Sequence, residues 1–339
     1  MSDGNPAVRP VMTPPPVSVT QPVSPAIERV KQLLFRPFDL GRWFVIGFCA
    51  WLAYLGEGGG FNFPGQSGYH KHAAEFRGAF DQARTYVLDN LAWIIPVAVV
   101  ALVFALILGV VLVWLRSRGE FMFLHCVAHN RAEIARPWKE FSREGNSLFL
   151  FRLALGAAAM VVMWPLVIFC GLKLYRMWAD NDWDVAGILS CVGFGFALLG
   201  AAIVFAIVGK LTSDFVVPLM FLRRQRCLES WRAFGRLLAA RPGQFLLYFL
   251  FQIVLAIAIG ILVVAAVLVT CCIAGCLLVL PYLGTVLLLP VLVFRRSYSL
   301  CYLAQYGGEY DVFAPPSAPP PLFPAPVSTG AVHSDGGNI

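Results

Sequence analysis

The segment LAWIIPVAVVALVFALILGVVLVWL, from Leu91 to Leu115, contains 25 residues and no ionisable side chain. About 20 apolar residues, rising about 1.5 Å each in a helix, cross a hydrocarbon core of roughly 30 Å. This segment is therefore long enough to span a bilayer. The whole chain of 339 residues is 59% hydrophobic and only 13% charged. Such a composition excludes an ordinary soluble globular protein and predicts an integral membrane protein.

Uncharged segments of similar length recur along the chain. Residues 153–172 and 185–209 each predict one further span. The 53 uncharged residues of 242–294 are too many for one helix and predict two spans, joined by a turn within 271–283. Residues 43–56 form a shorter uncharged run of 14. They favour a sixth span, with a re-entrant or interfacial segment as the alternative.

The predicted fold is all-α, a polytopic membrane helical bundle of about six transmembrane helices with additional interfacial amphipathic helices. The expected spans are about 40–56, 91–115, 149–173, 185–210, 245–271 and 280–304. Each uncharged run gives one hydrophobic crossing, except 242–294, which gives two, and the charged segments between the runs give the connections. The membrane domain is expected to cover residues 26–311.

Both ends of the chain are rich in proline and polar residues. Residues 1–25 contain seven prolines, and seven more lie between Pro315 and Pro326. Such segments cannot bury enough apolar surface to fold. We therefore expect disordered tails at 1–25 and 312–339. Docking of these tails into an aromatic groove of a partner protein is the alternative.

Most basic residues lie on one side of the six-span arrangement. Of the 26 Lys and Arg residues, 21 fall within 1–42, 116–152, 210–241 and 295–296. Because Lys and Arg are retained on the cytoplasmic side, we expect a multi-pass protein of the cell membrane with both termini in the cytoplasm. The net charge of +7 then predicts anionic lipids of the cytoplasmic face as partners, with membrane proteins as further candidates and no nucleic acid.

Candidate catalytic and metal-ligating patterns are incomplete. His125 and His129 have the i, i+4 spacing of zinc proteases, but Cys126 occupies the place of the general-base glutamate. A structural metal or proton sensing is the functional alternative for this pair, and simple packing at the interface is the other. The glycine-rich segment 56–68 lacks the Gly-Lys-Ser/Thr of a phosphate-binding loop. We therefore predict no catalytic, cofactor or metal site and no enzymatic activity.

Asp214 is the ionisable residue of greatest interest, because charged groups near membrane depth often mark functional sites. It ends the polar triplet TSD at residues 212–214, directly after the fourth predicted span. The favoured interpretation is that Ser213 or Asp214 caps a new helix. In the alternative, Asp214 lines a cavity and forms a candidate polar site with Lys210 and Arg152.

The connection that follows carries basic and aromatic side chains in close succession. These candidate lipid-contact residues are Arg223, Arg224, Arg226, Trp231, Arg232 and Arg236. Arginine side chains attract anionic headgroups, and Trp favours the boundary between headgroups and acyl chains.

Two parts of the sequence resemble known families. The segments LFRPF at 34–38 and WFVIGFCAWL at 43–52 resemble, within 29–310, a family of uncharacterised prokaryotic membrane proteins. That resemblance implies six helices and no assigned activity. Asp214 and Phe215, with ESWR at 229–232, have a weaker similarity to the membrane domain of bacterial glycerophosphoryl diester phosphodiesterases. The catalytic barrel of those enzymes is absent, so their hydrolytic activity is not implied.

Two functions remain for such a protein. The first is a non-enzymatic membrane scaffold that binds lipids or partner proteins through its basic cytoplasmic helices. The alternative is a small transporter or export factor with a site between the spans near Asp214. The spans contain few charged groups, which disfavours proton or ion coupling.

Overall fold

The computed structural model of the protein describes residues 17–55, 86, 89–180, 184–270 and 273–313. Every regular element in these ranges is a helix, which confirms the predicted all-α class. The long helices are α3 (Leu91–His129), α5 (Ser142–Ala179), α6 (Val185–Leu211) and α9 (Pro242–Val269). The predicted glycine-rich segment 56–68 and most of the two predicted tails lie outside the described residues.

Shorter helices connect and flank the long ones. They are α1 (Val23–Val30), α2 (Leu40–Ala53), α4 (Ala135–Glu140), α7 (Val217–Arg223), α8 (Cys227–Ala240), α10 (Ile273–Val279), α11 (Pro281–Leu287) and α12 (Leu289–Ala304). Two π-helical segments, Lys31–Phe35 and Thr212–Val216, and a 3-10 turn, Gly308–Tyr310, complete the described elements. The segment Thr212–Val216 joins α6 to α7 without a turn.

Four helical runs are long and apolar enough to cross a membrane: α3, α5, α9 and the run Val185–Arg223 formed by α6 and α7. Their apolar surfaces are largely exposed; Val161 on α5 and Leu189 on α6 are 75% and 70% exposed. Exposed apolar surfaces of this extent are stable in contact with lipid rather than water. The protein is therefore a membrane protein.

The two other predicted spans are shorter or interrupted. α2 has 14 residues. The predicted span 280–304 is not continuous, because α11 ends at Leu287 and α12 begins at Leu289. Pro290 explains the break, since proline lacks an N–H group and its ring clashes with the carbonyl four residues earlier. The described residues thus contain four full-length candidate spans where the sequence predicts about six.

α3 changes environment along its length. Nearly all of residues 91–111 are exposed, whereas residues 119–128 are buried throughout. Gly119 marks the change, because a Cβ there would lie 2.6 Å from the backbone carbonyl carbon of Leu52 on α2. Only glycine permits so close a crossing of two backbones. The first half of α3 therefore faces lipid, and its second half belongs to the protein core.

The core lies where the ends of the long helices meet. Phe215, in the π-helical segment after α6, is fully buried and stacks on Phe234 of α8 with ring centroids 5.2 Å apart. It also contacts Phe245 and Tyr248 of α9, at centroid distances of 5.3 and 4.9 Å. Full burial of such a side chain contributes about 1.5–3 kcal/mol. This aromatic cluster fixes α6, α8 and α9 relative to one another.

The two ends of the described chain meet beside α12. The Ser18 amide donates to Oε1 of Gln305 at 2.8 Å, and Nε2 of Gln305 donates to the Ser18 carbonyl at 2.9 Å. The Tyr298 hydroxyl donates to the carbonyl of Val19 at 2.9 Å. These hydrogen bonds hold the segment before α1 against α12 and the residue that follows it.

Candidate functional site

A cavity of about 480 Å³ lies between the long helices at the edge of the core. One part of its lining is charged and comprises Arg116, Glu120, Arg152, Lys210, Asp214, Arg295 and Arg296. The other part is apolar and comprises chiefly Val113, Phe123, Leu155, Gly156, Ala159, Phe205, Ala206 and Gly209. Five basic side chains face two acidic ones, so the charged part carries an excess of positive charge.

A buried ion pair organises the charged part. Nη2 of Arg152 lies 2.6 Å from Oε1 of Glu120, and the two side chains are only 12% and 8% exposed. The hydroxyl of Ser213 donates to the same carboxylate oxygen at 2.9 Å and accepts from Nη2 of Arg152 at 3.0 Å. These contacts join α3, α5 and the π-helical segment Thr212–Val216.

A second chain of polar contacts starts at Asp214. Nζ of Lys210 lies 2.8 Å from Oδ2 of Asp214, one helical turn away. The Tyr248 hydroxyl donates to the same oxygen at 3.1 Å, and Nε2 of Gln252 donates to that hydroxyl at 2.9 Å. Asp214 therefore connects the end of α6 to α9.

The position of Asp214 corrects the favoured sequence interpretation. Asp214 lies inside a helix that continues from α6 through Thr212–Val216 into α7, so neither it nor Ser213 caps a new helix. A helix interior leaves no unpaired first-turn N–H groups for a cap to accept. The alternative arrangement, in which Asp214 lines a cavity and pairs with Lys210, is the one observed. Arg152 lines the same cavity but pairs with Glu120 instead.

Arg296 is the most unusual side chain of the cavity. Its residue is 6% exposed, and its Nη1 donates to the carbonyl of Ser213 at 2.6 Å. Nε and Nη2 are buried and have no hydrogen-bond partner among the described residues. Buried polar atoms of native proteins are nearly always paired, so this arrangement calls for an explanation.

Sequence reasoning missed Glu120 and Arg296. Glu120 lies beyond the predicted span 91–115, in a segment assigned to a cytoplasmic connection, whereas Arg296 lies within the predicted span 280–304. One signal was present: Glu120 is the first acidic residue after the uncharged run 91–115, and it follows Arg116 and Arg118 closely. A lone acid among basic residues beside a span is a candidate for a buried ion pair.

Three of the predicted lipid-contact residues have internal partners. Nη2 of Arg223 lies 2.8 Å from Oε2 of Glu309. Arg224 pairs with Glu140, and its guanidinium lies 3.9 Å from the ring centroid of Phe141. The ring of Trp231 is only partly exposed and packs against the core cluster. These side chains stabilise the fold.

The other three predicted lipid-contact residues lie at the surface. Arg226, Arg232 and Arg236 are exposed, and the last two share one face of α8 at i, i+4 spacing. The opposite face of α8 buries Ala233 and Phe234. This helix is therefore amphipathic, and its basic face is available for contact with other molecules.

The histidine pair is packed against aromatic rings. His125 and His129 stack with ring centroids 4.5 Å apart, and both rings lie near Phe221. Within the described parts of the chain, no group of three or more His, Cys, Asp or Glu side chains is placed to hold a metal ion. His125 is buried, whereas His129, the last residue of α3, is exposed, and neither histidine lines the cavity.

Comparison with known proteins identifies the family of the chain. A family model described as a family of unknown function (DUF7544) matches residues 17–289, most of the chain. No curated protein and no solved structure matches the sequence. The similarity to the membrane domain of glycerophosphoryl diester phosphodiesterases therefore has no support from these comparisons.

Proposed function

We propose that this chain, which belongs to the family of unknown function DUF7544, is a membrane protein that holds a lipid in the cavity between its long helices. The observation that carries the proposal is the division of the cavity lining into a charged part and an apolar part. A lipid has the same division, with a polar headgroup at one end and hydrocarbon at the other. The proposal includes no chemical step.

The apolar part of the cavity has room for a hydrocarbon chain. Gly156 of α5 and Gly209 of α6 both line it, and a Cβ added at either position would meet nothing within 4 Å. Glycines at tight helix crossings, such as Gly119, leave no such space. The absence of side chains at 156 and 209 therefore widens the cavity, and a large side chain placed there would fill it.

We also propose an orientation. α2 and the interrupted segment of α11 and α12 would add two crossings to the four long ones, giving a multi-pass protein of a prokaryotic cell membrane with both termini in the cytoplasm. The concentration of 21 of the 26 basic residues on that side supports this arrangement. The charged part of the cavity, which includes Arg116 and Lys210, would then face the cytoplasmic leaflet.

Lipid bound to the purified protein tests the proposal. We would extract the full-length protein in mild detergent and measure retained lipid by native mass spectrometry. Wild type should retain lipid, whereas Gly156→Phe and Gly209→Phe should retain much less. Gly171→Phe and Gly200→Phe are matched controls on the same helices, because both glycines have equally open surroundings but do not line the cavity.

Two results would contradict lipid binding in this cavity. One is a wild-type protein without retained lipid after mild extraction. The other is equal retention by Gly156→Phe and Gly171→Phe, which would place the lipid on the outer surface of α5. Thermal unfolding of each variant, measured in the same detergent, separates a filled cavity from a misfolded protein.

Transport of the bound molecule across the membrane is the second candidate function. Interrupted helices with polar groups at membrane depth mark the sites of many transporters. Asp214 lies in the π-helical segment between α6 and α7 and is paired with Lys210. Translocation of a fluorescent lipid in proteoliposomes tests this candidate. Equal rates in liposomes with wild type and with Gly209→Phe would contradict it.

A further inference from the structure

We infer that the lipid in the cavity is anionic and that Arg296 binds a phosphate group of its headgroup through Nε and Nη2. This inference rests on the proposed lipid binding and names the chemical class of the lipid. Free phosphate offers the same oxygen atoms, so the experiment below separates the two sources.

The free atoms of Arg296 have the geometry that phosphate binding needs. Nη1 is already used, because it donates to the Ser213 carbonyl at 2.6 Å. Nε and Nη2 form one edge of the planar guanidinium, and such an edge donates two parallel hydrogen bonds to a phosphate or carboxylate. Both atoms are buried and without a partner among the described residues, in a side chain that lines the cavity.

The remaining charges of the cavity favour an anion. Arg152 is paired with Glu120 and Lys210 with Asp214, so both acidic side chains of the lining already have basic partners. Arg296 forms no ion pair with a described carboxylate, and Glu120, whose charge it also senses, is already paired with Arg152. An anionic ligand would offset the buried charge of Arg296, whereas a cationic ligand would add to it.

The hydrogen bond to Ser213 holds Arg296 in place for this role. Ser213 belongs to the π-helical segment, and its hydroxyl is itself bonded to Glu120. The backbone carbonyl of Ser213 thus orients the guanidinium of Arg296. The Ser213 side chain is in turn held by the ion pair between Glu120 and Arg152. Orientation before binding reduces the entropic cost of holding a ligand.

The apolar lining favours a lipid over a free anion. Leu155, Phe205 and the open positions Gly156 and Gly209 belong to the same cavity as Arg296. A soluble phosphate would leave this apolar surface uncovered, whereas the glycerol and acyl region of a phospholipid would cover it. We therefore assign the cavity to an anionic phospholipid.

The experiment measures binding of defined lipids to delipidated full-length protein by native mass spectrometry. The probes are phosphatidylglycerol, diacylglycerol with the same acyl chains, and inorganic phosphate. We expect phosphatidylglycerol to bind at least tenfold more tightly than diacylglycerol to wild type. Arg296→Gln should remove most of this preference, and Arg296→Lys, which keeps the charge but loses the two-atom edge, should retain part of it. Arg143→Gln, at an exposed arginine on α5 that does not line the cavity, is the control and should behave as wild type.

Each contrary outcome has a separate meaning. Equal binding of phosphatidylglycerol and diacylglycerol would overturn the inference and leave lipid binding intact. The same conclusion follows if Arg296→Gln and Arg296→Lys both keep the full preference. Binding of inorganic phosphate without any lipid would overturn both the inference and the proposed function. If Arg296→Gln fails to fold, the ratio measured for Arg296→Lys decides, since that variant keeps the buried charge.

Discussion

Arg152 and Glu120 are separated by 32 positions in the sequence, and Nη2 of the arginine lies 2.6 Å from Oε1 of the carboxylate. The pair joins α5 to α3 at the edge of the cavity, where both side chains are almost inaccessible. A buried charge that loses its partner is strongly destabilising, whereas the removal of both partners is far less so. Single and double variants of the pair therefore measure how much it stabilises the helices around the cavity.

We predict that Glu120→Ala and Arg152→Ala each lower the free energy of unfolding by about 3–5 kcal/mol. The double variant should lose clearly less than the sum of the two, because it leaves no unpaired charge. Unfolding by denaturant in detergent, with all four proteins in one series, measures the coupling. Additive losses would show that the two charges act independently.

Gly119 should tolerate no larger side chain. Its Cβ would lie 2.6 Å from a backbone atom of Leu52, so Gly119→Ala must separate α2 from α3. We predict a loss of about 1–3 kcal/mol in the free energy of unfolding, typical of overpacking. Gly109→Ala on the same helix is the control, because nothing lies within 4 Å of that position. Similar losses in the two variants would contradict the close crossing.

Arg29 should stabilise the end of α3. From α1, its Nε and Nη2 donate to the Val127 carbonyl at 3.1 and 2.9 Å, and Nη2 also donates to Ala128. We predict that Arg29→Met costs about 1.5–3 kcal/mol, the range for hydrogen bonds to a charged group. Lys31→Met, which breaks only an exposed pair with Glu28, should cost less than about 0.5 kcal/mol. Equal thermal shifts in both variants would be the contrary result.

Cys227 should resist alkylation in the folded protein. It is 1% exposed, and burial raises the pKa of its thiol to about 12 from the ordinary 9.0. Because the thiolate is the reactive form, iodoacetamide should modify Cys227 at pH 8 only after denaturation in SDS. Mass spectrometry of the peptide gives the measurement. Modification of the native protein at that pH would contradict the burial.

The same pKa predicts a pH effect on stability. The folded state holds the Cys227 proton more tightly than the unfolded state does. Its contribution to stability is therefore fully present below pH about 9 and is lost as the pH rises toward about 12. Cys227→Ser should remove this part of the alkaline loss, which thermal unfolding at pH 8 and pH 10.5 would detect. An equal loss of stability between pH 8 and pH 10.5 in wild type and Cys227→Ser would contradict this prediction.

Much of the helical fold follows from the sequence alone. The long helices α3, α6 and α9 begin where uncharged runs begin, at Leu91, Val185 and Pro242, because apolar length is the main determinant of a membrane helix. Asp39 caps α2 as its position before the first uncharged run suggests, accepting from the Gly41 amide at 2.8 Å. These features depend on local sequence, which is why they can be predicted.

The cavity could be predicted only in part. Lys210 and Asp214 are neighbours at i, i+4, so their pairing is visible in the sequence. Glu120 and Arg296 reach the same place from α3 and α12, and no local pattern connects them. The continuity of α6 through Thr212–Val216 was also missed, because a π-helical segment keeps the backbone helical where polar residues suggest a start. The meeting of Glu120 with Arg296 and the continuation of α6 into α7 both depend on tertiary packing, which no local sequence pattern reveals.

The reciprocal hydrogen bonds between Ser18 and Gln305 have a topological consequence. A chain segment whose two ends lie on the same side of a bilayer crosses that bilayer an even number of times. Because Ser18 and Gln305 are in contact, we predict that the chain between them crosses the membrane an even number of times. Reporters fused ahead of residue 17 and after residue 313 should accordingly occupy the same compartment.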